Sequence, residues 1–191
     1  VSDSIDFGMV KYSATVHDTI IIQNVEGETG TLIITDLTLS GDAQISAEIP
    51  AVPVNIASGS SIGVPVSFYP EAEGDFSASL TVTSNDPDQG ETTVTISGSG
   101  IVPIITTDIS DYTWDEFYMG DTASVEITIS NTGLADLIVS DITSDNDVFA
   151  PIFDSAALES GASGSFTLQF IPDADALETG NLTIASDDPI T

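Results

Sequence analysis

Apolar residues in this chain recur at every second position, in short runs closed off by glycine, proline, asparagine and aspartate. Val125, Ile127 and Ile129 alternate with Glu126, Thr128 and Ser130; Phe166, Leu168 and Phe170 alternate with Thr167 and Gln169. Successive side chains of a strand point to opposite faces, so this period sets an apolar face against a core and a polar face in water. The same period runs earlier through Ile20 and Ile22, through Val64, Val66 and Phe68, through Leu80 and Val82, and through Val94 and Ile96. No stretch sustains the 3.6-residue period of a helix. Strands separated in this way by turn residues predict an antiparallel β-sandwich with almost no helix.

The pattern occurs twice. Asn24 closes "TIIIQN" as Asn131 closes "EITISN", and Phe7 of "IDFGMV" falls on Trp114 of "YTWDEF" at the same spacing. Further on, "FYPEAEGDFSASLTVTSNDP" meets "FIPDADALETGNLTIASDDP", which places Phe68 on Phe170 and Asn85 on Asp187. The spacing shortens between these two sets, as it does when loops of related domains differ in length. The expected organisation is a sandwich over 1–100, a short linker over 101–105 stiffened by Pro103, and a second sandwich over 106–191. Joined end to end, the two would make an elongated rod.

The copies differ at their ends. In the first, "SNDP" is followed by "ETTVTISGSG", whose Val94 and Ile96 make a last inward-facing strand. In the second, "SDDP" is followed by two residues. The second sandwich is therefore expected to lack its last strand in cis, with Leu182 and Ile184 on an interaction edge over an apolar groove. Two explanations stand: a longer tandem array cut inside a repeat, or a strand donated by another subunit. The chain also opens on Val1 without a basic and apolar leader, which reads as a mature or excised piece with its targeting signals elsewhere.

Charge narrows the partners. The chain has 31 acidic residues, one lysine (Lys11), no arginine and a net charge of −30. Nothing in it can neutralise phosphates, which excludes nucleic acid, and anionic membrane surfaces would repel it. Cations, basic partners or a salt-rich medium suit such a surface. At 41% hydrophobic residues it is not a disordered acidic tail. The absence of cysteine removes disulfides and thiolate metal sites. The longest uncharged run, Ile49 to Pro70, is broken by Pro50, Pro53 and Pro65, so no membrane insertion is expected of this segment.

On "IDFGMV", "TIIIQN", "GTLIITDL", "FYPEAEGDFSASLTVTSNDP" and "TTVTISGSG" the chain resembles the Hydin-like family of immunoglobulin-like domains, of the ASH/MSP type. That family includes tandem repeats of bacterial secreted or surface-anchored proteins. The resemblance implies a seven-stranded sandwich used for spacing, adhesion or protein contact, and it brings no catalytic residues. The second copy departs from the pattern at "YTWDEF", at "SDDP" and in its missing strand.

Chemical motifs are sparse. Gly59-Ser60-Ser61-Ile62-Gly63 fits a nucleophile-elbow pattern, but it leads into a strand and not a helix, so it reads as a turn. His17 reads as an exposed strand residue, Trp114 as core, and the sequon Asn181-Leu182-Thr183 as chance. Lys11, the residue an isopeptide crosslink would need, alternates with Val10 and reads as outward-facing. No cofactor is required. Ca2+ is the one ligand the acidic loops would suit, through Asn85, Asp86, Asp88 and Glu91 in one loop and Asp141, Asp145 and Asp147 in another. The competing reading is that Asp and Asn fill turns by bonding their own backbone.

These features together predict a non-enzymatic structural repeat of a long extracellular or cell-surface protein: an adhesin stalk, sheath or filament subunit. Its partners would be neighbouring copies or further repeats, joined by strand donation or divalent cations. The alternative is an accessory module binding carbohydrate or protein, which would need Tyr12, Tyr118 or Trp114 exposed on one face.

Overall fold

The computed structural model describes residues 4–25, 30–115 and 118–189, and none of these is helical. The chain divides into two compact units, Val1–Ile101 and Val102–Thr191.

The first unit has eight strands: β1 (Ser4–Lys11), β2 (Val16–Gln23), β3 (Leu32–Gly41), β4 (Ile45–Ala47), β5 (Val54–Ile56), β6 (Ser61–Phe68), β7 (Gly74–Ser84) and β8 (Glu91–Ile101). One sheet runs β1-β8-β7-β3-β5 and the other β2-β6-β4. The alternation read from the sequence becomes the core. Ile20, Ile22, Val64, Val66 and Phe68 of one sheet meet Leu80, Val82, Val94 and Ile96 of the other, and none is more than 3% exposed. Side chains of this kind each stabilise the fold by about 1.5–3 kcal/mol on burial. Strand β8 is held on both edges, antiparallel to β7 and parallel to β1.

The second unit has seven strands: β9 (Ile105–Thr107), β10 (Ala123–Asn131), β11 (Leu137–Ser144), β12 (Phe149–Ile152), β13 (Ala156–Leu158), β14 (Ser163–Phe170) and β15 (Leu182–Ser186). Its sheets run β12-β14-β10-β9 and β13-β11-β15. The central pair β10–β14 repeats β2–β6, and β12 pairs Phe149 with Phe170 as β4 pairs Ile45 with Phe68. Ile127, Ile129, Leu137, Val139, Phe166 and Leu168 form its buried centre.

Asn24 and Asn131 show why asparagine closes the same strand in both units. Each is buried. The Asn24 Nδ2 donates to the carbonyls of Ile56 (2.9 Å) and Gly30 (3.0 Å). The Asn131 Nδ2 donates to those of Leu158 (3.0 Å) and Ala135 (2.8 Å). One amide satisfies two carbonyls that the sheet ladders leave over, which is the requirement on any buried polar backbone.

Residues 101–105, read as a linker, hold the last residue of β8 and the first of β9. Val102 between them is buried, and its carbonyl accepts from Leu134 N (3.0 Å) and Ala135 N (3.1 Å). No helix among the described residues is long and apolar enough to cross a membrane.

Candidate functional site

Strand β15 pairs with β11 from Ser144↔Leu182 to Val139↔Ser186, and among the described residues its other edge has no partner. Its counterpart β7 is bounded by β3 on one side and β8 on the other. Burial registers the difference. Leu80 and Val82 are 0% and 3% exposed and Phe68 is 0% exposed, whereas Leu182, Ile184 and Phe170 are all half-buried. The two residues expected on an interaction edge, Leu182 and Ile184, therefore lie side by side on the wall of a cleft.

That cleft is open and has a volume of about 1520 Å3. Ile127, Phe149, Phe166 and Leu168 form its floor, and Trp114 stands at its rim. The Trp114 ring stacks on Phe170 (5.2 Å) and Phe149 (5.8 Å), those two stack on each other (5.0 Å), and Tyr112 meets Trp114 edge-on (4.8 Å). Trp114 packs against the second core as Phe7 packs against the first. Residues 111–115, which correspond to the start of β1, form no strand. In the first unit that segment is paired along β8.

The first unit shows what fills the equivalent space. Val94 and Ile96 of β8 point into the core, and both are fully buried. Two positions on, a Cβ at Gly98 would stand 2.7 Å from two carbons of the Phe68 ring. At Gly100 it would press on the Ala72 carbonyl and lie 2.8 Å from Pro70 Cβ. The strand is thus bulky where the sandwich is deep and bare where it crosses the aromatic ring. Glycine there permits close backbone approach.

The acidic loops have a different arrangement. Asn85 Oδ1 accepts from Ile33 N (2.8 Å), and Asp86 Oδ1 accepts from Asp88 N (2.9 Å) and Gln89 N (3.0 Å). Glu91 begins β8. Asp141 Oδ1 accepts from Ile142 N (2.9 Å). Asp145 takes the Asn181 backbone N–H (2.6 Å) and side-chain amide (2.8 Å), which hold its carboxyl below the usual 3.8. Asp147 lies next to Asn146, whose Oδ1 caps Val148 N (3.2 Å). Among the described residues no three acid or histidine side chains gather as metal ligands. These groups organise turns, through the backbone bonding that Asp and Asn favour there.

Gly59 makes a turn at φ +76° and Ser61 begins β6, a turn-to-strand passage with no elbow helix. His17 is exposed on β2. Tyr118 is 85% exposed, while Tyr12 and Trp114 are half-buried and belong to different units. The Asn181 sequon amide is the one bound to Asp145.

Two features of the site escaped the sequence reading. Phe149 sits in "NDVFAP", where no alternation marks it as a cleft residue. Asp188 is buried and accepts the Ile105 N–H (2.8 Å), yet it looks no different from Asp187 beside it.

The family model of the HYDIN/CFA65/VesB-like Ig-like domain matches residues 1–99, which takes in β1 to β7 and all but the last two residues of β8. The chain belongs to the HYDIN/CFA65/VesB-like family. The resemblance carried by the turn and glycine motifs is thereby sustained, and so is the all-β Ig-like architecture. No curated protein matches this HYDIN/CFA65/VesB-like chain.

Solved structures align with it loosely. A protein of unknown function from Porphyromonas gingivalis W83 is 15% identical with a TM-score of 0.36, over 95% of this chain and 88% of that one. The secreted serine protease VesC from Vibrio cholerae is 11% identical with a TM-score of 0.40, over 95% and 49%. The class 5 fimbriae chaperone CfaA is 13% identical with a TM-score of 0.36, over 96% of each chain. This chain thus spans about half the length of VesC. Superpositions this loose assign no function.

Proposed function

We propose that this chain is a non-enzymatic, load-bearing repeat of an extracellular or cell-surface protein. The observation that carries the reading is the parallel pairing of β1 with β8, from Ser4↔Thr95 to Lys11↔Ile101. These are the first and last strands of the unit, so tension on the chain pulls them along each other. Every ladder bond between them must then yield together, which raises the barrier to forced unfolding.

The surface supports the same reading. Among the described residues, the buried polar side chains are Asn24, Asn131 and Asp188, so nearly all the carboxylates lie outside the cores. An exterior of net charge −30 keeps neighbouring copies soluble at close quarters. The described carboxylates with resolved bonds mostly accept from backbone amides, a structural duty in keeping with this reading.

Single-molecule pulling from the two termini tests the mechanical part. Two separate unfolding events are expected, each releasing on the order of 30 nm at about 3.3–3.6 Å per residue. The first unit should give way at the higher force. One merged event, or a first unit no stronger than the second, would overturn it. Antibody labelling of intact cells tests the location: labelling only after lysis would exclude an extracellular role.

A further inference from the structure

A pocket of about 340 Å3 is formed in the second unit by β12 and β13, the outermost strands of its two sheets, together with β10 and β14. It lies on the side away from β15, because β11 stands between β13 and β15. Ile129, Ile152, Phe153, Ala156, Leu158 and Gly164 line it.

The first unit carries larger side chains at two of these places. Ile129↔Gly164 repeats the register of Ile22↔Ile62, and Val139↔Ala156 repeats that of Ile34↔Val54. Ile62 and Val54 pack against the first core. Glycine and alanine at the corresponding positions remove a whole sec-butyl group and cut an isopropyl group to a methyl. The connection 150–157 is also shorter than its counterpart 46–55, so no added residue takes up the room. Protein interiors are otherwise close-packed, and a recess of this size falls in the range of ligand sites.

We propose that the pocket seats a branched aliphatic side chain, leucine or isoleucine, of a partner polypeptide that carries lysine or arginine beside it. The shape is the one Ile62 and Val54 fill in the first unit. The charge follows from the rim: Asp154 lines the pocket and is exposed, and Ser165, also in the lining, donates its hydroxyl to Glu126. The chain has no arginine, and its one lysine, Lys11, belongs to the first unit. A second copy would bring another net charge of −30, so the cation comes from a different, basic protein. Ile152 is 55% exposed, so the apolar surface continues beyond the pocket and suits a polypeptide better than a small amine. This goes beyond the load-bearing reading and does not rest on it.

The test follows the methyl groups of the whole chain by NMR while acetyl-Lys-Ile-Lys amide is added. Saturable shifts are expected at Ile129, Ile152, Ala156 and Leu158, with a dissociation constant of about 1 mM, the range that one aliphatic anchor supports. Acetyl-Lys-Gly-Lys amide and acetyl-Glu-Ile-Glu amide should each bind at least about tenfold more weakly, one lacking the anchor and the other reversing the charge. Gly164→Ile, which restores the residue of the first unit, should abolish the shifts. A Cβ there would stand 3.3 Å from Leu158 Cδ2, the end of a flexible side chain. Ala156→Val, the other residue of the first unit, serves the same purpose where Gly164→Ile does not fold. Asp154→Asn should weaken binding about threefold or more and lessen its dependence on salt.

The peptide variants leave the protein unaltered, so misfolding cannot explain their failure. No saturation by about 20 mM peptide would overturn the proposal. So would equal binding of acetyl-Lys-Gly-Lys amide, which would mean loose attraction of cations, or shifts that survive both filling variants. 3-Methylbutylamine binding as tightly as the tripeptide would make the occupant a free amine. Concentration-dependent shifts at the same methyls without peptide would make it a second copy. Either result overturns the assignment to a basic polypeptide.

Discussion

Gly98 lies flat against the ring of Phe68, so close that a Cβ would stand 2.7 Å from two of its carbons. The ring is wholly buried and sits between Phe7 (5.9 Å) and Phe76 (5.6 Å), which leaves it no room to retreat. Gly98→Ala should therefore destabilise the first unit by about 1–3 kcal/mol, the usual range for overpacking. Chemical denaturation of the variant checks this, and a change below about 0.5 kcal/mol would mean the ring yields freely.

Both buried asparagines should carry weight. Asn131 donates to Leu158 and Ala135 and its Oδ1 accepts from Gly133 N (3.0 Å) and Ile104 N (3.3 Å). Among the described residues Asn24 makes the matching pair of donor bonds, to the carbonyls of Ile56 and Gly30. Asn131→Ala and Asn24→Ala should each cost about 1–3 kcal/mol, from the carbonyls left without partners. Denaturant midpoints, with Trp114 emission following the second unit, would measure both. Equal small losses would show that water replaces the amides.

Asp145 links pH to the second unit. Its pKa lies below 3.8 because the Asn181 side-chain amide, and then the Asn181 backbone N–H, donate to the carboxylate. A lowered folded pKa means a contribution fully present above pH 3.8 and lost as pH falls through the folded value. Asp145→Ala should thus lower the melting temperature at pH 7 and converge with the parent in strong acid. A difference that persists at low pH would point to packing instead.

Salt should raise the melting temperature, because the net charge of −30 meets almost no compensating cation on the chain. The Debye length falls from about 10 Å at 0.1 M to about 3 Å at 1 M, so most of the gain should come within that span. Calcium chloride at matched ionic strength should give the same curve, since Asp86, Asp141 and Asp145 already serve amides. A separate saturating step at millimolar calcium would reveal an ordered site.

The deep strands were legible because each is long enough to show its period: Val64, Val66 and Phe68 are buried while Ser61, Gly63 and Pro65 are not. β5 and β13 were not legible as separate strands, for three residues cannot display an alternation and their pairing with β3 and β11 is decided at a distance. The edge position of Leu182 and Ile184 followed from comparing the two copies. The aromatic rim did not, because Phe149 reaches Phe170 only through the β12–β14 register. Carboxylate roles were least legible: Asp86, Asp145 and Asp188 have the same side chain and three different duties, set by which amide the fold brings near.

The pairing of β1 with β8 also has a bearing on biosynthesis. Ser4 meets Thr95, so the first strand of this unit must wait for one translated about ninety residues later. At roughly 5–20 residues per second that delay is on the order of 5–20 s. Through that interval a nascent, half-dressed sheet edge is on offer to anything nearby, and its safekeeping falls to the crowd of like charges along the emerging chain.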